Sequence, residues 1–185
     1  MIGCSREVAP TGRHVATWVL VLVLVLVALI GWGCGLRGPR SDERVEPIRV
    51  SSQLGEGDPA RRASMRLVVE GLGADVDGRF ERAQGSYERA IQVDPTNPFA
   101  YLALARHYLD GPEGARAVDL LDQAAALFES EGLRQPNVGV HLIGLRGRAL
   151  HAEGRGDDAV LYLERARQLA PDVWRDGHLS AAELR

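Results

Sequence analysis

The chain has 185 residues and a formal net charge of −3, a length that suits one domain plus a tail and a balance without the basic excess of a nucleic-acid binder. All 22 basic residues are arginine. Without lysine there is no P-loop contact to a nucleotide phosphate and no Schiff base, so pyridoxal-phosphate chemistry is excluded. The arginine, alanine, glycine and valine content fits a GC-rich bacterial genome.

Residues 1–14 form a basic N-terminal segment with Arg6 and Arg13. Residues 15–34 read as a transmembrane helix or a signal. From Val15 to Gly33 there is no charge, and a lone strand in lipid would leave its amides unpaired, so this stretch is expected to be helical. Nineteen residues at about 1.5 Å each span roughly 28 Å, close to the hydrocarbon thickness. Trp18 and Trp32 stand near the ends, where indoles prefer the interface. Three readings stay open: an uncleaved anchor, a lipoprotein signal lipidated at Cys34, and a cleaved secretory signal. Gly33-Cys34 resembles the end of a lipobox, from which Gly31 and Trp32 depart. Arginines flank both ends, so charge does not fix orientation. The single N-terminal position favours an exported, extracytoplasmic C-terminal domain at a bacterial membrane.

Residues 35–58 are rich in Gly, Pro, Arg, Asp, Glu and Ser and read as a flexible tether of roughly 25–30 Å average span. Val45, Ile48 and Val50 offer a minor alternative, a short strand paired with a partner.

From residue 59 to 171 the pattern turns helical and repeats. Gly71 and Ala105, Ala83 and Ala117, and Ala90 and Ala124 are each separated by the same stride of about 34 residues, and after an insertion at 129–139 the pattern returns as Gly147, Ala159 and Ala166. This period predicts an all-α solenoid of helical hairpins, about three repeats (64–97, 98–131, 140–173). Asp58-Pro59 opens the first helix and Gly78 ends it. A second runs from Phe80 to Val93. Asn97-Pro98 opens a third, which stops at Gly111. The fourth is expected from about Glu113 to Phe128. The fifth is expected after Asn137 as cap, and the sixth from about Asp157 to Ala170, closed by Pro171. Facing helices approach to about 8 Å only across small residues. Phe80, Tyr87, Tyr108, Leu121 and Leu163 are then expected to fill the layers between hairpins. Residues 172–185 supply a capping segment, with a capping box between Ser180 and Glu183.

These residues resemble the tetratricopeptide repeat family over about 110 positions. The first repeat carries Gly71, Ala74, Gly78, Phe80, Ala83, Tyr87, Ala90 and Pro95. The second carries Tyr101, Ala105, Tyr108, Ala117, Leu121 and Ala124, and the third Gly147, Leu150, Gly154, Ala159, Leu163, Ala166 and Pro171. Ala74 and Gly156 stand where an aromatic is usual, and the second repeat lacks its closing proline. The resemblance implies a concave groove lined by the first helix of each hairpin. Carried over by position, that groove comprises Met65, Val68, Leu72 and Asp75; Phe99, Leu102, Arg106 and Leu109; and His141, Gly144, Arg148 and His151. Arg106 and Arg148 read either as solvated surface arginines or as a pair holding the carboxylate of an acidic peptide end. The lysine- and asparagine-rich clamp of some relatives is absent.

No chemistry-bearing constellation stands out. His141 and His151 are ten residues apart, not the adjacent pair that one helix face offers a metal, and Cys4 and Cys34 precede the repeats. Asp157 and Asp158 suit a helix N-terminus. The expectation is a non-enzyme without cofactor, metal or small-molecule substrate. It would be a membrane-tethered module for a protein or peptide partner, with a structural subunit of an envelope complex (secretion, pilus or outer-membrane assembly) as the alternative.

Overall fold

The computed structural model describes residues 44–133 and 135–185. The basic segment, the apolar stretch 15–34 with Cys34, and the first part of the tether lie outside the described residues. Among the described residues every regular element is helical, and no helix is long and apolar enough to cross a membrane.

Capping chemistry sets the helix starts. Helix α1 is Pro59–Val76; the Asp58 carboxylate accepts from the Arg61 amide at 2.9 Å, and Pro59 occupies the first position, where no amide is needed. Gly78, at a φ of 72° that side chains avoid, reverses the chain into α2, Phe80–Val93. Helix α3, Pro98–Asp110, repeats the device with the Asn97 side chain accepting from the Phe99 amide at 3.1 Å. Helix α4, Ala117–Ser130, begins later than expected, because residues Gly114–Arg116 form a tighter 3-10 turn first. Helix α5 is Pro136–Ala152 and α6 is Gly156–Leu169. Asn137 is not the cap of α5. Gln135 holds that position, Pro136 takes the first, and Asn137 lies inside the first turn. Pro171 closes α6 and also starts a further turn, α7, Pro171–Trp174. The expected capping box, formed by Ser180 and Glu183, opens α8, Ala181–Leu184.

The helices pair as antiparallel hairpins α1–α2, α3–α4 and α5–α6, stacked so that α1, α3 and α5 are neighbours. Small residues permit the approach. A Cβ added at Gly71 would stand 2.4 Å from the Tyr87 ring, and one at Gly147 would stand 2.9 Å from Leu163. Tyr87, Tyr108 and Leu121 fill the layers as expected, and Leu163 does so in part. Phe80 does not. As the first residue of α2 it lies at the edge of its layer and is 60% exposed.

Polar pins fix the register between the first two hairpins. Ser64 Oγ donates to the Ala90 carbonyl and accepts from Asn97 Nδ2, both at 2.8 Å. Arg61 clasps Glu131 with two hydrogen bonds (2.9 and 2.5 Å), pairs with Asp94 and reaches the Thr96 carbonyl. These carboxylates raise the Arg61 pKa further above its ordinary value, the Glu131 bond contributing most.

The inner face of the stack is covered by residues 44–57 and by the C-terminal segment. Residues 44–57, expected as a tether, run along the stack and bond to it: Val45 N–H to Leu169 O (2.8 Å), Ile48 N–H to Asn137 O (3.2 Å) and Ser51 N–H to Arg185 O (2.9 Å). Val50, in a 3-10 turn Val50–Gln53, is fully buried. The C-terminal segment also folds inward. Trp174 is fully buried against Gly144 of α5, where an added Cβ would stand 2.3 Å from the indole, and Leu179 and Leu184 are equally buried. Gly71→Ala is expected to lower stability by about 1–3 kcal/mol through overpacking against Tyr87. Ala117→Trp should lower it further, and thermal melts followed by circular dichroism check both.

Candidate functional site

The groove residues carried over from the family resemblance converge as a set, on a face that is closed. Met65, Val68, Leu72, Phe99, Leu102 and His141 are buried, Gly144 seats Trp174, and Leu109 is half-covered. His151 alone of the set is fully at the surface. The reason is the apolar character of the face itself. Left open, it would expose the aliphatic sides of α1, α3 and α5 to water. Burying each large aliphatic side chain there contributes roughly 1.5–3 kcal/mol.

Asp75, Arg106 and Arg148 are neither solvated surface charges nor free carboxylate ligands. They form a ladder through the hollow. The Asp75 carboxylate, only 2% exposed, accepts from Tyr87 Oη (2.9 Å), Arg106 Nη2 (2.6 Å) and His107 Nδ1 (2.8 Å). Arg106 Nη1 continues to Asp110 at 2.7 Å and lies 3.4 Å from the Leu179 carbonyl of the C-terminal segment. Asp110 in turn accepts from Arg148 Nη1 and His178 Nε2, each at 2.9 Å. Burial pushes the Asp75 carboxyl up, but the His107 hydrogen bond and the Arg106 charge hold it below the ordinary carboxylate range. Asp110 is likewise lowered, with burial outweighed by the charge of Arg106 and the bond from Arg148. Burial drives the Tyr87 phenol upward, and the Asp75 charge adds to it. The ladder ties three successive first helices to the C-terminal segment.

His141 works in the same interface. Its Nε2 donates to the Ile48 carbonyl at 3.0 Å, so it holds the N-terminal strap, while its Nδ1 is buried without a partner. Desolvation lowers its pKa to about 4, against 6.5 ordinarily. A proton on Nδ1 would have no acceptor there.

An open concavity adjoins the ladder, where the start of α2 meets the end of α3. This cleft of about 520 Å³ is lined by Phe80, Glu81, Gln84, His107, Tyr108 and Asp110, with Gly111, Pro112 and Glu113 at its far side. The His107 ring stands 6.5 Å from Phe80 and 5.9 Å from Tyr108, centroid to centroid. His107 sits in no motif that marks it as a site residue, and Phe80, expected in the core, lies at the mouth of this cleft instead. The available signal was the aromatic at the first position of α2, directly after the Gly78 turn, where a helix has no layer to enter. Among the described residues no group of three or more His, Cys, Asp or Glu side chains is placed to hold a metal ion.

The hairpin geometry and the small-residue stride define a helical-repeat protein. Residues 77–131, which span α2, α3 and α4, match the tetratricopeptide repeat family model. No curated protein and no solved structure matches the chain.

Two outcomes test the ladder and the strap. Asp75→Ala leaves Tyr87, His107 and one arm of Arg106 without their acceptor, and a loss of roughly 3–5 kcal/mol in urea unfolding is expected. His141 makes stability pH-dependent. Its folded pKa is depressed, so the unfolded chain takes up a proton first, and stability present above pH 6.5 is lost as pH falls towards about 4. The expected loss is about 3 kcal/mol. The lowered pKa values of Asp75, Asp94 and Asp110 add a further loss below about pH 4. His141→Gln keeps a donor for Ile48 but does not titrate, so its stability should be flatter between pH 6.5 and 4.

Proposed function

We propose that the chain is a membrane-tethered protein–protein interaction module of the bacterial envelope. Its repeat domain lies outside the cytoplasm and is anchored by residues 15–34 or by lipid on Cys34. The observation that carries the reading is the tetratricopeptide match at residues 77–131 on a stack of paired helices, because such repeats generally mediate protein contacts. The polar ladder consumes its charged members in structural pairs, which favours binding over catalysis. Because the hollow is closed by residues 44–57 and 171–185, a protein or peptide partner is taken on the faces left open.

The alternative, a structural subunit of an envelope assembly, is favoured by one feature. Val160, Leu161 and Tyr162 are consecutive and exposed on α6, Leu161 to 71%. Such a strip suits a subunit contact on the outer side of the last hairpin.

Photo-crosslinking in the native membrane discriminates these readings. A crosslinking amino acid at Phe80 or in the cleft is expected to capture a discrete partner if the chain docks a peptide. Capture from Leu161 instead, in stoichiometric complexes, favours the assembly subunit, and no capture from any exposed face overturns both. Deleting residues 15–34 should move the protein from the membrane to the soluble fraction. Retention of Cys34→Ser in alkali-washed membranes would assign the anchor to the apolar span rather than to a lipid.

A further inference from the structure

We infer that the cleft between the start of α2 and the end of α3 is a binding site for an arginine side chain of a basic peptide segment. This rests on the reading of the chain as an interaction module and gives that module its ligand chemistry.

Three observations converge. The first is a deep acceptor. His107 lines the cleft with its side chain only 9% exposed, and its Nδ1 is committed to Asp75. A carboxylate can only accept, so Nδ1 carries the hydrogen, and in the neutral form of an imidazole so held the other nitrogen, Nε2, is a lone-pair acceptor. That Nε2 makes no hydrogen bond among the described residues and is not sealed from solvent. The second is an aromatic wall that nothing covers. Phe80 is 60% exposed beside this ring. The third is charge. Glu81, Asp110 and Glu113 line the same cleft, while no arginine does. Asp110 and Glu113 already hold arginines of the chain; Glu81 makes no ion pair or hydrogen bond among the described residues.

A guanidinium answers all three demands. It has donors and no acceptor, a planar face for Phe80 and a charge for Glu81. The protein shows the same recognition one residue away, where the Arg116 guanidinium lies 4.3 Å from the centroid of the Tyr108 ring. A metal ion would need more ligands than the cleft offers, and an acidic peptide would meet three carboxylates.

The test uses the full chain in detergent micelles, labelled at histidine with nitrogen-15 and titrated with hexa-arginine. Saturable shifts of the His107 ring resonance are expected. Phe80→Ala should weaken binding about threefold, in line with the loss of one cation–π contact. Glu81→Gln should weaken it as well, whereas Glu164→Gln on α6 should leave it unchanged. Both cleft positions are exposed, so neither variant threatens the fold. Hexacitrulline, which keeps the shape and loses the charge, should not bind. The proposal is overturned if hexacitrulline binds as well as hexa-arginine, if hexaglutamate binds more tightly, or if the two cleft variants behave like Glu164→Gln. Failure here with a discrete partner still crosslinking from Phe80 removes the arginine ligand and leaves the interaction module standing. Binding of hexa-arginine with no captured partner removes the module and leaves the site.

Discussion

Three stacked hairpins have an inner face made of aliphatic side chains, and water has to be kept from it. Here the molecule supplies its own cover from both directions, with Val50 on one side and Trp174, Leu179 and Leu184 on the other. The remaining features follow from that closure. Gly144 is small because an indole lies on it, Arg106 is buried because a terminal segment overlies it, and His141 is depressed in pKa because the strap seals it from water.

Closure also explains the polar ladder. Charges inside a covered hollow are tolerated only when paired and hydrogen-bonded. Asp75 meets that condition with three donors and Arg106 with two carboxylates. The same residues on an open concave face would be available to a ligand. Their residue types suit recognition, and their surroundings convert them into fastenings. What stays available is the cleft beside the ladder, at the same C-terminal end of α3, where His107 shares the Asp75 carboxylate yet turns its second nitrogen away from it.

Much of the repeat was legible because its signals are local. Asp58-Pro59 and Asn97-Pro98 write helix starts, Gly78 and Gly154 write reversals, and the stride from Gly71 to Ala105 writes the stacking. Ser180 and Glu183 announce α8 in the same way. The strap was illegible for the opposite reason. Val45, Ile48 and Val50 have no period of their own, and what orders them are carbonyls and side chains far along the chain, at Leu169, Asn137 and His141. The tail as a cap was readable; its course over the hollow depends on Trp174 finding Gly144, a pairing no short motif encodes. The cleft was missed because its parts come from two repeats, and because Phe80 in a linear pattern looks like any core aromatic.

The hydrogen bonds from Val45 to Leu169 and from Ser51 to Arg185 join opposite ends of the described chain. Linear repeat arrays gain stability from nearest neighbours, so they can nucleate anywhere and lose units one by one. A ring of contacts between distant positions removes that freedom. The loop must close before the last contacts form, which raises contact order and slows folding relative to a helical array of similar size. Adding or deleting a hairpin would part Val45 from Leu169 and Ser51 from Arg185, so these fastenings fit a stack of this one height.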